Sequence, residues 1–228
     1  MKGIKVFYSL IALLTCVVLL SCNSSTMTAQ TTVKQPNPID LGLSVLWADR
    51  NIGADSITDY GYYFAWGETN PKQTYSLENC KYCQDADYNK LTKYCTKNNY
   101  GKVDSKTILD PEDDAAVQNL GNGWRMPTIE EYKEFIDNCD WKWTTKDGVN
   151  GCVFTSKKNG SKIFFPAAGL MWSSLLRDGL NGLYWSSSLY PDRPRSIQAL
   201  DFGSDFAILG LWDRRCDGFS IRAVRSKN

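Results

Sequence analysis

Apolar and polar residues alternate from Leu41 through Leu43 and Val45 to Trp47, the two-residue period of a half-buried strand. Gly61 to Trp66 repeats that period and places Tyr62, Phe64 and Trp66 on one face. Between Gly67 and about Asp110 the pattern lapses into a polar, tyrosine-rich stretch, which predicts a long excursion pinned by local contacts or by disulfides. The period then lengthens. Asp110 and Pro111 open a first helix, because Asp caps free N–H groups and Pro suits the first helical position. Glu112, Asp113 and Asp114 favour its positive end, Ala116 and Leu120 share a face, and Gly121 closes it. Thr128 opens a second helix with Glu131 completing a capping box, and Tyr132, Phe135, Ile136 and Cys139 form one buried stripe. From Trp141 onward the pattern predicts short strands at Val153–Thr155, Ile163–Phe165, Tyr184–Ser187, Ile197–Phe202, Phe206–Trp212 and Phe219–Val224. Helices in the middle with strands at both ends argue for an α+β domain rather than alternating βα units.

Composition narrows the chemistry. The 228 residues, 43% of them hydrophobic, suffice for one well-buried domain once a leader is set aside. A net charge of +1 gives no general attraction to nucleic acid, and none is expected as a partner. There is no histidine, so Ser–His and Cys–His nucleophile systems and imidazole metal ligands are excluded within this chain. The 8 Trp, 12 Tyr and 9 Phe are many for this length; most are expected in the core, some on a binding face.

The first residues read as a targeting segment. Lys2 and Lys5 precede a short apolar run, Ile11 to Leu20, too short to span a membrane comfortably. The run ends in Leu19-Leu20-Ser21-Cys22, which resembles a bacterial lipobox. That resemblance implies a lipoprotein signal peptide over 1–21, lipidation of Cys22, and a domain held on the envelope by acyl chains, with the outer membrane as the expected site and its facing left open. Residues 22–38 are rich in Ser, Thr, Gln, Asn and Pro and read as a flexible tether; residues 39–228 form the domain.

Cys16 leaves with the leader and Cys22 carries lipid, so six cysteines remain: Cys80, Cys83, Cys95, Cys139, Cys152 and Cys216. In an oxidising envelope this even set allows fifteen full pairings. The similar contexts Lys81-Tyr82-Cys83 and Lys93-Tyr94-Cys95 point to a Cys83–Cys95 bridge closing the excursion, with free buried thiols as the alternative. Cys80 and Cys83 have CxxC spacing, but the βαβ setting of a thioredoxin-like motif is missing, and zinc would need a fourth ligand. The acidic run Asp110, Glu112, Asp113, Asp114 lacks EF-hand spacing and is explained by helix capping, so neither metal nor cofactor is expected. No local motif selects two of the 25 acidic residues as glycosidase carboxylates. Arg125 follows a turn and precedes a helix, where it fixes the turn by bonding carbonyls or a carboxylate.

Four motifs recur in order: Gly123-Trp124-Arg125-Met126-Pro127-Thr128, Phe164-Phe165-Pro166-Ala167-Ala168-Gly169, Tyr184-Trp185-Ser186-Ser187-Ser188 and Gly218-Phe219-Ser220-Ile221-Arg222. Together they resemble the C-type-lectin-like lipoprotein domains of the Fibrobacter succinogenes major paralogous family, distant relatives of the formylglycine-generating enzyme fold. The resemblance implies two helices packed on short, twisted antiparallel sheets with long loops, and pairing of the first and last strands. It also implies a Bacteroidetes-type source. The calcium-site tripeptides of sugar-binding C-type lectins are absent. A cysteine pair of formylglycine-generating type would need Cys152 to approach Cys216.

Between these motifs, Leu189–Asp217 interleaves aromatic, Arg and Asp side chains, the composition of interface hot spots. Tyr190, Asp192, Arg193, Arg195, Ile197, Asp205, Phe206, Trp212, Asp213 and Arg215 are the candidate ligand-binding residues. The segment contains no Lys and no Glu. That bias resembles the variable proteins of diversity-generating retroelements, whose adenine-directed mutagenesis cannot yield either residue. The resemblance implies a hypervariable receptor surface and a near-copy of these codons beside a reverse transcriptase. The expected function is non-catalytic binding of a protein or glycan at a cell, phage or host surface. A structural or assembly lipoprotein of fixed specificity, or an enzyme of formylglycine-generating type, is the alternative.

Overall fold

The computed structural model describes residues 33–227; the expected signal segment, Cys22 and the first part of the expected tether lie outside them. In chain order the strands are β1 (Pro38–Asp40), β2 (Val45–Ala48), β3 (Trp124–Arg125), β4 (Cys139–Lys146), β5 (Val149–Ser156), β6 (Lys162–Pro166), β7 (Leu170–Met171), β8 (Leu175–Leu176), β9 (Gly182–Leu189), β10 (Ile197–Phe202), β11 (Ala207–Trp212) and β12 (Val224–Ser226). Two α-helices, α1 (Ala115–Leu120) and α2 (Ile129–Asn138), stand between β2 and β4. The strands form small antiparallel sheets in the orders β1-β2-β12-β3, β11-β10-β9, β4-β5-β6 and β7-β8. The class is α+β and rich in sheet.

The two ends of the domain meet, with Val224 opposite Trp47 and Ser226 opposite Val45. Behind this seam α2 lays Tyr132 and Phe135 against Trp47, Phe154 and Phe165, with Trp47 and Phe135 centroids 4.7 Å apart. Each such ring removes about 150–250 Å² from water, a gross gain of about 4–6 kcal/mol before ordering entropy opposes it. A second cluster gathers Phe64, Trp66, Trp124, Trp185 and Phe219, with Trp185 stacked on Phe219 at 3.8 Å. Buried Arg222 links the clusters. It donates to Asn51 Oδ1 (3.0 Å), Ala48 O (3.2 Å) and Phe164 O (3.1 Å) and lies 4.2 Å from the Phe165 ring centroid.

The second helix starts as expected: Thr128 and Glu131 form a reciprocal capping box, and Arg125 bonds Glu131 Oε2 (2.7 Å) and Met126 O (3.1 Å), fixing the turn. Other expectations need correction. Leu41 and Leu43 are buried, but the chain turns there through Gly42 at φ +71°, so the strand begins only at Val45. Gly61–Trp66 makes a single bridge, Phe64 to Phe219, while its alternate side chains do enter opposite clusters. Phe219–Val224 is not one strand, because its carbonyls serve separate neighbours: Ser220 O accepts from Trp185 N, Ile221 O from Ile52 N and Ala223 O from Ala48 N. The first helix begins four residues later than expected, with its cap at Asp114 instead of Asp110. Pro111–Asp113 is a 3₁₀ turn, Asp114 is extended, and its carboxylate caps α1 through Ala116 N (2.8 Å) and Val117 N (3.1 Å). Two residues of the expected tether, Gln35 and Asn37, already bond the domain. Gln35 Nε2 donates to Leu120 O (3.0 Å) and Asn37 N to Asp49 Oδ1 (3.0 Å).

The excursion folds as short 3₁₀ turns around a satellite cluster of Cys83, Leu91 and Cys95. Cys83 and Cys95 are free thiols and do not bridge. Cys83 Sγ faces Cys80 Sγ at 2.9 Å, and Cys95 Sγ donates to Lys97 O at 3.1 Å.

Candidate ligand-binding face

The β9–β10 connection is a tight loop. Ser196 N donates to Arg193 O (2.8 Å), Arg193 N to Tyr190 O (3.1 Å) and Tyr190 N back to Ser196 O (3.1 Å). This geometry turns Asp192 and Arg193 outward and leaves Tyr190 and Arg195 half-buried. Asp213, just past β11, receives the Ser196 hydroxyl and lies 3.5 Å from Arg193 Nη1 and 3.8 Å from Arg195 Nη2. Asp192 pairs with Lys97 of the excursion at 3.2 Å. Tyr190, Asp192, Arg193, Arg195, Trp212 and Asp213 therefore gather at one end of the β9–β11 sheet.

Four of the expected site residues are not part of this group. Ile197 is fully buried against the β9 side of the core and cannot touch a ligand. Arg215 is also fully buried: it donates to Lys93 O (3.2 Å), Tyr94 O (3.1 Å) and Pro194 O, and lies 5.1 Å from the Trp66 ring centroid. It fastens the excursion to the β9–β10 loop. Asp205 and Phe206 occupy the turn at the opposite end of β11, closed by Gly203 N to Phe206 O (2.9 Å). Phe206 and Trp212 stand about 20 Å apart along the extended strand.

The structure adds residues that the sequence pattern left unselected. The β7–β8 hairpin is held to the C-terminal segment by paired bonds between Met171 and Gly218, each 2.8 Å. Gly218 is needed there, because a Cβ would lie 2.9 Å from the Tyr75 ring. This docking brings Trp172, Leu176 and Arg177 opposite Trp212, Arg214 and Asp217, around a groove of 230 Å³. Arg214 stacks over the Trp172 ring at 4.7 Å. Trp212 Nε1 donates to Asp217 Oδ2 (3.0 Å), and its ring meets Phe219 edge-on at 5.1 Å. Asp217 Oδ1 lies 3.2 Å from Arg214 Nε. Burial pushes the Asp217 carboxyl up, opposed by the Trp212 N–H and by Arg214. Indole faces, two guanidiniums and one carboxylate in a shallow groove are chemically suited to a flat apolar surface with hydroxyls or amides at its edge.

Of the acidic run, Asp114 caps α1, while the other three carboxylates are accounted for by an ion pair and not by capping. Lys93 Nζ sits among Asp110 (2.7 Å), Glu112 (3.3 Å) and Asp113 (2.6 Å), so an ammonium occupies the point on which the three carboxylates converge. Ser186, Ser187 and Ser188 are buried: the Ser186 and Ser187 hydroxyls donate to Gln198 O and Pro127 O, and the Ser188 hydroxyl accepts from Ile129 N. Cys152 lies inside the α2 cluster, whereas Cys216 contacts Tyr88 OH at 2.8 Å, so the two cysteines occupy different environments. No protein-family model, no curated protein and no solved structure matches this chain.

Proposed function

We propose that this chain is a lipid-anchored envelope protein whose α+β domain has the C-type-lectin-like fold and binds ligand without catalysis. Two features support the lectin-like reading of the fold: the antiparallel closure of β2 with β12, and a three-stranded sheet, β11-β10-β9, whose end loops carry the exposed polar residues. The observation that carries the binding reading is the groove lined by Trp172, Trp212, Arg214 and Asp217, continuous through Trp212 with Asp213, Arg193 and Arg195. Trp172 keeps 41% of its surface exposed although it is held on an ordered hairpin. Large aromatics and Arg on a rigid support are the usual source of binding energy in such sites. The ligand class is a glycan or a protein segment with a flat apolar face. Residues that vary from copy to copy under a diversified-receptor reading are the exposed ones, Asp192, Arg193, Asp205 and Asp213, since Ile197 and Arg215 hold the scaffold.

The test is capture on glycan and peptide arrays by the wild-type protein and by a Trp172→Ala, Trp212→Ala double variant. The expected outcome is array binding that the double variant loses while it still unfolds cooperatively, its melting temperature lowered by the lost packing of Trp212 on Phe219. Binding that survives both substitutions places the ligand elsewhere. A second reading, assembly with a fixed envelope partner, rests on β11. It is the edge of its sheet, carries no charge from Ala207 to Trp212, and exposes Ile208 (51%) and Leu211 (45%).

A further inference from the structure

We propose that Cys80 and Cys83 are a redox couple that closes into an intramolecular disulfide and thereby locks the Lys81–Tyr82 turn onto Asp113. The two sulfurs lie 2.9 Å apart as thiols. The turn between them is already formed: Cys80 N donates to Leu77 O and Cys83 N to Cys80 O, each at 3.3 Å. Its two central residues are both bound to Asp113, Lys81 Nζ at 2.7 Å and Tyr82 OH at 2.5 Å from the same carboxylate oxygen. The backbone is thus held in the shape that the closed form needs, and little has to move for the bond to form.

The other described cysteines are engaged or out of reach. Cys95 Sγ donates to Lys97 O, and Cys216 pairs with Tyr88 OH. Cys139 lies opposite Ser156 and Cys152 opposite Trp143. Those ladder positions are four residues apart, about 13 Å along the strands and beyond disulfide reach. The pair is also asymmetric in the way an exchange reaction requires. Cys80 is half-buried and Cys83 buried. The hydrogen bond with Cys83 draws the Cys80 thiol down against its burial, with the Arg215 guanidinium helping, while the same bond and burial push Cys83 up. Cys80 is therefore the attacking sulfur.

The co-reactant is an exogenous disulfide. The Cys80 thiolate attacks one of its sulfurs, breaking that S–S bond and expelling a thiolate, which leaves a mixed disulfide on Cys80. Cys83 then loses its proton, attacks the Cys80 sulfur and expels the second thiolate. The net change is one dithiol and one disulfide in, one protein disulfide and two thiols out, with two electrons passing from the cysteines to the reagent.

The test uses the full-length protein, extracted in detergent and treated with oxidised glutathione or with dithiothreitol. Free thiols are then trapped with N-ethylmaleimide in denaturant, and the trypsin digest is read by mass spectrometry. Trypsin cuts after Lys81, so the closed form is expected as peptide Gln73–Lys81 joined to Tyr82–Lys90, and the dithiothreitol sample as the same two peptides, each alkylated. A Cys83→Ser variant, lacking the resolving thiol, is expected to accumulate glutathione on Cys80. Alkylation of both wild-type cysteines after oxidised glutathione overturns the proposal, as does a link from Tyr82–Lys90 to Tyr94–Lys97, which carries Cys95. Glutathione on Cys95 or Cys216 instead of Cys80 in the variant also overturns it.

Discussion

Asp113→Asn tests whether the excursion is held by one buried charge. The Asp113 carboxylate is 1% exposed and accepts four donors, Lys81 Nζ (2.7 Å) and Tyr82 OH (2.5 Å) on one oxygen, Lys93 Nζ (2.6 Å) and Tyr94 OH (2.6 Å) on the other. An asparagine keeps one acceptor oxygen and presents an NH₂ group to the second pair of donors. Hydrogen bonds to a charged group contribute about 1.5–3 kcal/mol each. The Lys81 share is discounted, because its side chain is 45% exposed and turns to water when its partner is lost. Because asparagine still accepts at one oxygen and Lys93 keeps Asp110 and Glu112, the net loss falls short of the full sum and comes to about 2–4 kcal/mol. In urea unfolding under reducing conditions, with a slope of about 2 kcal/mol/M, the midpoint falls by about 1–2 M. Asp110→Asn is the comparison, since Asp110 shares Lys93 but is partly exposed and its loss costs under about 1 kcal/mol. If the two variants shift the midpoint equally, the buried-charge reasoning is wrong.

The same residue sets a pH dependence. Burial pushes the Asp113 carboxyl up, but the donors, Lys81 and Lys93 first among them, outweigh it and hold the group well below the usual carboxylate range. A group depressed in the folded state contributes stability that is present above its unfolded pKa and is lost as pH falls towards the folded value. The wild-type midpoint therefore declines below about pH 4, and its gap over Asp113→Asn narrows there. A gap that stays constant from neutral pH to acid refutes the assignment.

Two further substitutions separate scaffold from the proposed binding face. Arg215→Ala leaves carbonyls at Lys93, Tyr94 and Pro194 without their donor, so it lowers stability by about 3–5 kcal/mol in a denaturant titration instead of weakening binding in a folded protein. Gly182→Ala places a Cβ 2.0 Å from the Phe202 ring, which is stacked on Tyr184, and repacking costs at least about 1–3 kcal/mol in the same assay.

Parts of this fold were legible because local and tertiary preferences agree. Thr128 and Glu131 cap α2 whatever it packs against, and the apolar spacing of Tyr132 and Phe135 matches the side that meets Trp47. Ile197–Phe202 matches its predicted bounds because its alternation faces two different clusters. Elsewhere alternation reported burial and not hydrogen bonding. Leu41 and Leu43 are buried without a ladder, and Phe219–Val224 is extended but shared among neighbours distant in sequence. The opposite error occurs at β4, where Asp140, Lys142 and Lys146 hid a full eight-residue strand. Its partner β5 supplies the pairing that composition did not announce.

The candidate site was half legible for a similar reason. Composition selects Arg, Asp and aromatic residues as a class but does not say on which side of the backbone each one falls. Arg193 and Arg215 are alike in a sequence; one lies on the loop surface beside Asp213, the other is buried beneath Trp66 with carbonyls as its partners. The missing half of the groove comes from Trp172 and Arg177, on a hairpin far from Leu189–Asp217 in the chain. The paired bonds between Met171 and Gly218 bring it there, and they require Gly218 to lack a side chain against Tyr75. Gly218 was legible as part of a scaffold motif, and its role extends to the site: by admitting the hairpin, it determines which tryptophan stands opposite Trp212. Under the proposed binding function, a ligand that contacts both indoles would therefore depend on a residue it never touches, and specificity would reside in the docking of β7–β8 as much as in the side chains of the C-terminal loops.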